Sequence, residues 1–203
     1  MKRLLDLIAS CAGLVMLSPL FFVVAAAIKL DNPGPVFFRQ ARAGKDGRTF
    51  RVYKFRTMVV DAEQKGAGVF IEKDDPRITR VGKFLRSLSI DELPQLINIM
   101  KGEMSLVGPR PTLPYQVDNY NERQRRRLLV LPGITGWAQV NGRNELTWTE
   151  RVELDIWYVD NRNFWLDLKI LLKTCSVVFN RTGIYREIQE DPIAGKPVYR
   201  KDE

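Results

Sequence analysis

The chain has 203 residues, 45% of them hydrophobic, which suits one folded domain with a real core. Lys and Arg total 32 against 24 acids, a formal charge of +8, which points to an anionic partner such as nucleic acid, anionic lipid or a phosphate-bearing substrate. There is no histidine, so imidazole catalysis, His-ligated metals and Ser–His–Asp triads are excluded, leaving carboxylates, Lys, Tyr, Arg, Cys or a hard, oxygen-ligated cation.

From Leu7 to Ile28 no residue is charged, and Lys2, Arg3 and Lys29 flank the run. Ser18-Pro19 divides it into two arms, each about 15–18 Å long as a helix, roughly half a bilayer. Proline removes a backbone hydrogen bond, and Ser18 could cover the carbonyl it frees. Two topologies stay open: a kinked spanning helix, and a re-entrant hairpin that bends at Ser18-Pro19 and returns to the side it entered. Positive charge on both flanks favours the hairpin. Cys11 and Cys175 have no metal or redox spacing and read as small packing residues in a reducing compartment.

Asp31-Asn32-Pro33-Gly34-Pro35 is a turn cluster and a boundary. Val36–Phe38 and Phe50–Arg56 read as two strands joined by the reversal Gly44–Gly47. The polar, Gly-containing stretch Asp61–Pro76 reads as a loop or lid. A helix is expected over about Ile78–Leu88, with Arg86 among its polar positions.

The next stretch, Arg86–Leu96, carries adjacent carboxylates, Asp91 and Glu92. Pro94 fits only the first turn of a helix, so that helix must start near Ser89–Asp91, and Ser89 with Glu92 has capping-box spacing. Leu93, Leu96, Ile97 and Met100 then share one face, and Gly102 is a stop. On this reading the acids sit at the positive end of a helix dipole, where phosphates bind. Arg110, between Pro109 and Pro111, is held on stiff backbone, which suits a guanidinium that meets a phosphate in fixed geometry. A helix is expected over Tyr120–Leu131, with Arg123, Arg125, Arg126 and Arg127 as a solvated face or a contact for anionic headgroups. Pro132–Asn144 is a Gly-rich loop carrying Arg143. Thr149–Asp160 and Phe164–Asn180 read as helices. Phe164, Trp165 and Trp157 are either interfacial or core.

In order, Tyr53–Met58, Arg86–Leu96, Ser105–Pro111, Pro132–Gly136 and Gln139–Asn144 behind an apolar N-terminus resemble the bacterial monotopic phosphoglycosyl transferases, also called bacterial sugar transferases or undecaprenyl-phosphate sugar phosphotransferases. The resemblance runs from Ser18-Pro19 to about Asn180 and matches the small, single-domain members. It implies transfer of a sugar 1-phosphate from a UDP-sugar to undecaprenyl phosphate, with release of UMP. It also implies a covalent phosphosugar on Asp91, Mg²⁺ with Asp91 as ligand, and a re-entrant N-terminus with a cytoplasmic active site on the bacterial inner membrane. Glu92 would position the metal or Asp91, or act as general base. Lys54, Arg56, Arg86, Arg110 and Arg143 are the candidate phosphate and nucleotide contacts.

The expected fold is α+β and mostly helical: a re-entrant membrane hairpin (1–31), a catalytic domain (32–180) with a small β-hairpin and amphipathic interfacial helices, and a charged tail (181–203). Membrane lipids are expected partners, nucleic acid is not, and a homo-oligomer is left open. The rival class is a membrane-anchored basic module that binds anionic lipid or nucleic acid without chemistry. The transferred sugar and its glycan pathway are not legible.

Overall fold

A computed structural model describes residues 2–64 and 75–179. Most of the Asp61–Pro76 loop, and the tail from Arg181, lie outside the described residues. The fold is α+β and mostly helical, with two small two-stranded sheets.

Helices α1 (Lys2–Met16) and α2 (Ser18–Asp31) are bent by 59°. Pro19 lies in the first turn of α2, where its missing N–H costs nothing, and Ser18 Oγ donates to Val15 O at 2.8 Å, covering a carbonyl at the break. Among the described residues no single helix is long and apolar enough to cross a membrane, while the bent pair meets that test together. Leu4, Leu5, Ile8, Val15, Met16, Phe22 and Val23 of this pair are exposed.

Polar anchors tie α1 to the rest of the chain. Lys2 Nζ donates to Val107 O, Tyr158 OH and Asp167 Oδ2 at 2.9, 3.1 and 2.5 Å. Arg3 caps carbonyls at the end of a later helix, Ile99 O at 2.7 Å among them. The buried Asp6 accepts from Leu106 N at 3.0 Å. So the basic flank of the apolar run is docked on protein. Cys11 and Cys175 are both exposed, against their reading as packing residues: their helices turn those faces away from the core.

Strands β1 (Phe37–Ala43) and β2 (Thr49–Phe55) form the expected antiparallel hairpin, with Phe37 opposite Phe55 and Ala43 opposite Thr49. One face of β2 buries Phe50 and Val52 against Leu96, Ile99 and Met104, with Leu14 of α1 and Leu17 at the break alongside. Its end buries Phe55 against Val24 and Ile28 of α2 and against Leu85. Both halves of the bent pair are therefore continuous with the core.

Helix α3 (Arg80–Ser87) starts at Thr79, whose hydroxyl accepts from Gly82 N at 3.0 Å. A Cβ on Gly82 would lie 2.0 Å from Thr57 O, so only glycine lets α3 pass this close to the end of β2. Gly82→Ala is expected to cost roughly 1–3 kcal/mol or more and to displace Arg86 one turn on. Thermal unfolding that matches wild type would contradict the contact.

The stretch after α3 departs from expectation. Ile90–Gln95 is a 3-10 segment, and the α-helix, α4 (Leu96–Lys101), begins only at Leu96. Ser89 is left-handed (φ 56°) and makes no capping bond. The chain does turn helical where Pro94 requires, and Gly102 does end it with φ 84°. The capping box is what fails, because Glu92 pairs with two cations instead of capping; Asp91 and Glu92 do lie in the first turn of the 3-10 segment.

Strands β3 (Ser105–Val107) and β4 (Gly133–Thr135) pair in parallel, β4 within the stretch expected to be loop. Three residues carry no periodicity. The pairing is visible instead in glycine: a Cβ on Gly133 or Gly136 would lie 2.1–2.2 Å from the Gly108 backbone.

The helix expected over Tyr120–Leu131 is broken. Helix α5 (Pro114–Asp118) is followed by α6 (Glu122–Arg125) and a 3-10 turn through Leu129. Helix α7 (Trp137–Val140) follows β4, and α8 (Trp148–Asn161), capped by Thr147 and Glu150, and α9 (Phe164–Phe179) close the fold. Tyr158, Val159, Leu166 and Ile170 of α8 and α9 pack on Val107 and Val140. Trp165 is 74% exposed, with Phe164 and Leu172 also outward, whereas Trp157 stacks on Trp137 at 5.0 Å.

Candidate active site

The hairpin, the 3-10 segment and the loops after β3 and β4 meet at a cleft of about 870 Å³. Its lining includes all seven site residues expected from sequence: Lys54, Arg56, Arg86, Asp91, Glu92, Arg110 and Arg143.

The two carboxylates have opposite surroundings. Both Glu92 oxygens are taken. Lys54 Nζ donates to Oε1 at 2.7 Å, and Arg110 donates to Oε1 at 2.7 Å and to Oε2 at 3.2 Å, a two-pronged guanidinium contact. Burial alone would raise the Glu92 pKa, but Arg110 and Lys54 outweigh it and hold the carboxyl well below its usual range. Asp91 is buried to 9% exposure, and its carboxylate has no hydrogen bond or ion pair among the described residues. Burial, reinforced by the charge of Glu92, pushes its pKa up to about 6, with Lys54, Arg86 and Arg110 opposing.

The cations come from four segments. Lys54 is the penultimate residue of β2, and burial lowers its pKa. Arg86 projects from α3 and donates to Thr57 Oγ1 at 2.8 Å. Arg110 leaves the turn after β3. Arg143 is itself left-handed (φ 48°) and donates to Ser89 Oγ at 3.2 Å. Two strained non-glycine residues thus face each other across the cleft, a conformation that costs of order 1–3 kcal/mol each and clusters at functional sites. These side chains supply an anion-attracting field around the first turn of the 3-10 segment.

Arg56 is engaged differently. Its guanidinium donates to Asn32 Oδ1 and Pro33 O, both at 3.1 Å, and to Asn32 O. Only 6% exposed, it ties the exit of α2 to the end of β2. Arg56 lies one residue past the end of β2, so the alternation that would put it on the face of Lys54 no longer sets its direction.

The Arg-rich run is also spent internally. Arg123 pairs with Glu153 at 2.7 Å and Arg126 with Asp160 at 2.5 Å, both on α8. Arg127 turns inward to Asp155 at 2.5 Å, and its Nη2 also donates to Arg110 O at 2.9 Å. Sequence reasoning did not pick out this support behind Arg110. One signal was present: Asp155 lies among Val152, Ile156 and Val159 on the buried stripe of α8, and a carboxylate there must be paired.

Among the described residues no group of three acidic or thiol ligands could hold a metal. Mg²⁺ requires less, one or two carboxylates completed by phosphate oxygens and water. The bare Asp91 carboxylate fits that demand, and the doubly clamped Glu92 does not.

Fold and cleft together define a carboxylate and guanidinium site for an anionic substrate, on a domain carrying a bent apolar helix pair. The sequence profile described as bacterial sugar transferase matches residues 1–181, and the chain belongs to that family. It is 49% identical to the uncharacterized sugar transferase EpsL of Bacillus subtilis, over 91% of this chain and 90% of that one. It is 47% identical to the undecaprenyl-phosphate glucose phosphotransferase of Komagataeibacter xylinus, over 90% of this chain and 36% of that one. It is 40% identical to the undecaprenyl-phosphate galactose phosphotransferase of Salmonella typhimurium, over 91% of this chain and 42% of that one. The chain thus spans most of the Bacillus protein and less than half of the other two.

Proposed function

We propose that this chain transfers a sugar 1-phosphate from a UDP-sugar to undecaprenyl phosphate, the first membrane step in building a glycoconjugate such as O-antigen, capsule, exopolysaccharide or a protein-linked glycan. One observation carries the reading: Asp91 is unpaired beside Lys54, Arg86, Arg110 and Arg143, while the adjacent Glu92 is bound on both oxygens. The names of the two phosphotransferase relatives supply the lipid acceptor and the hexose, and the UDP donor is what the family resemblance implies.

Asp91 attacks the phosphorus that bears the sugar. An Asp91 Oδ–P bond forms, the P–O bond to the uridine phosphate breaks, and UMP leaves with the electron pair. An oxygen of undecaprenyl phosphate then attacks the same phosphorus and frees the carboxylate. Arg110, Arg86 and Arg143 neutralise the diphosphate as it nears Asp91, in a partly dry cleft where their charges act strongly. Glu92 holds Lys54 and Arg110 in place, and its depressed pKa makes it a poor base. Mg²⁺, held by Asp91 and substrate oxygens, would add charge neutralisation at the phosphate. Arg56 is assigned to the α2–β2 junction and not to phosphate.

The bent pair is assigned to a re-entrant hairpin in the inner membrane, with membrane lipids against its exposed apolar face and the cleft on the cytoplasmic side. The exposed apolar residues and the docking of α1 and α2 on one domain support this. In a Cys-free background, single cysteines near Met1 and in the domain should label from the same side. Opposite-side labelling would sink the hairpin.

The reaction is tested by incubating the protein with undecaprenyl phosphate, Mg²⁺ and UDP-glucose, UDP-galactose or UDP-N-acetylgalactosamine, and measuring UMP. Release with ping-pong kinetics is expected. No release from any UDP-sugar, with tight salt-sensitive nucleic-acid binding instead, would favour the binding module.

A further inference from the structure

The cleft has a second wall, distinct from the Asp91–Glu92 cluster. Arg127, Gln139, Trp148 and Asp155 line it. Five buried side-chain atoms on these four residues have no hydrogen-bond partner among the described residues: Gln139 Nε2 and Oε1, Trp148 Nε1, Arg127 Nε and Asp155 Oδ1. A buried polar atom without a partner forfeits its hydration and regains nothing, so folded chains keep few of them. Their concentration on one wall of a substrate-sized cleft marks them as reserved for a ligand.

The chemistry of that ligand follows from the atoms. Gln139 Nε2, Trp148 Nε1 and Arg127 Nε donate, whereas Gln139 Oε1 and Asp155 Oδ1 accept. A phosphate only accepts, so it cannot fill the last two. Uracil has one N–H donor. Hydroxyl groups donate and accept, so several on one ring can serve all five atoms. Asp155 pairs with Arg127 here, and Arg151 lies beside Trp148 in the same lining. Arg127 bonds the backbone of Arg110, so the wall adjoins the phosphate cluster, and in a UDP-sugar the sugar ring is joined through its anomeric oxygen to the phosphorus under attack.

We propose that Gln139, Trp148 and Asp155 form the subsite for the hydroxyl groups of the transferred sugar ring. The inference rests on the reaction proposed above. The test uses the full chain in detergent or nanodiscs, with Gln139→Leu and Trp148→Phe, which remove polar atoms and keep bulk. KM and kcat for each UDP-sugar are compared with Ki for UMP, which lacks the sugar. A loss of about tenfold or more in kcat/KM is expected for the preferred UDP-sugar, with altered ranking among the three sugars and UMP inhibition within about twofold of wild type. Should Gln139→Leu not fold, Trp148→Phe carries the test alone. An equal rise in the Ki for UMP would place the nucleoside on this wall and overturn the proposal, as would unchanged kinetics in both variants. A wild type that releases no UMP from any UDP-sugar would instead sink the underlying reaction, and this subsite with it.

Discussion

Asp91→Asn is expected to abolish UMP release and, at neutral pH, to make the protein more stable. The two effects share one cause. Burial and the neighbouring Glu92 raise the Asp91 pKa from 3.8 to about 6, so at pH 7 the ionised carboxylate is held where it would rather be neutral. A carboxyl whose folded pKa lies above its unfolded value binds its proton more tightly when folded. The stability it withholds is therefore absent below about pH 4, grows between pH 4 and 6, and is complete above. About two pH units correspond to roughly 3 kcal/mol. Asn keeps the shape and removes the charge, so thermal unfolding at pH 7.5 should move up by several degrees, while at pH 4 the two proteins should melt nearly together. Wild-type formation of the phosphosugar adduct should rise with pH through about 6, as the nucleophile ionises. Full activity in Asp91→Asn would falsify its role, and a variant less stable than wild type at pH 7.5 would contradict the unpaired, buried carboxylate.

The site was legible in the sequence to the extent that its residues are polar groups in places where the local pattern has no use for them. Asp91 and Glu92 at a Pro94-defined turn, and Arg110 between two prolines, stand out because proline fixes backbone and leaves side-chain direction as the remaining variable. Their division of labour was not legible. Which carboxylate is clamped depends on Lys54 arriving from a strand and Arg110 from the turn after β3, contacts separated by 38 and 18 residues. The hairpin and the long helices α8 and α9 followed from periodicity and, for the hairpin, its glycine reversal. The parallel β3–β4 pair did not, because three-residue strands have no period, and their only trace is the glycines that permit close approach. The helix expected over Tyr120–Leu131 failed for a tertiary reason: Arg127 must turn inward to reach Asp155, and a 3-10 turn directs it there. Arg56 could be placed only by knowing where the exit of α2 lies.

The largest structural effect is expected from Asp155→Ala. Asp155 is 1% exposed and Arg127 4% exposed, so neither charge has water to fall back on. Their contact at 2.5 Å is supplemented by the Tyr120 hydroxyl, also 2.5 Å from Arg127, and by the Tyr120 and Trp148 rings, each 5.7 Å from the guanidinium. Removing the carboxylate leaves a buried cation with only neutral partners, a change that costs about 3–5 kcal/mol. For a chain of this size that is a drop of roughly 6–20 °C in Tm. The double variant Arg127→Met with Asp155→Leu removes both charges and fills the volume, so it should recover most of that stability. It should not recover activity. Arg127 also donates to the Arg110 carbonyl, and without that donor the turn carrying Arg110 loses the bond that fixes its guanidinium on Glu92. Stability and UMP release should therefore separate in the double variant: Tm near wild type, kcat/KM down at least about tenfold. If activity returned along with stability, Arg127 and Asp155 would be a packing pair and nothing more. If Asp155→Ala melted like wild type, the buried ion pair itself would be in error.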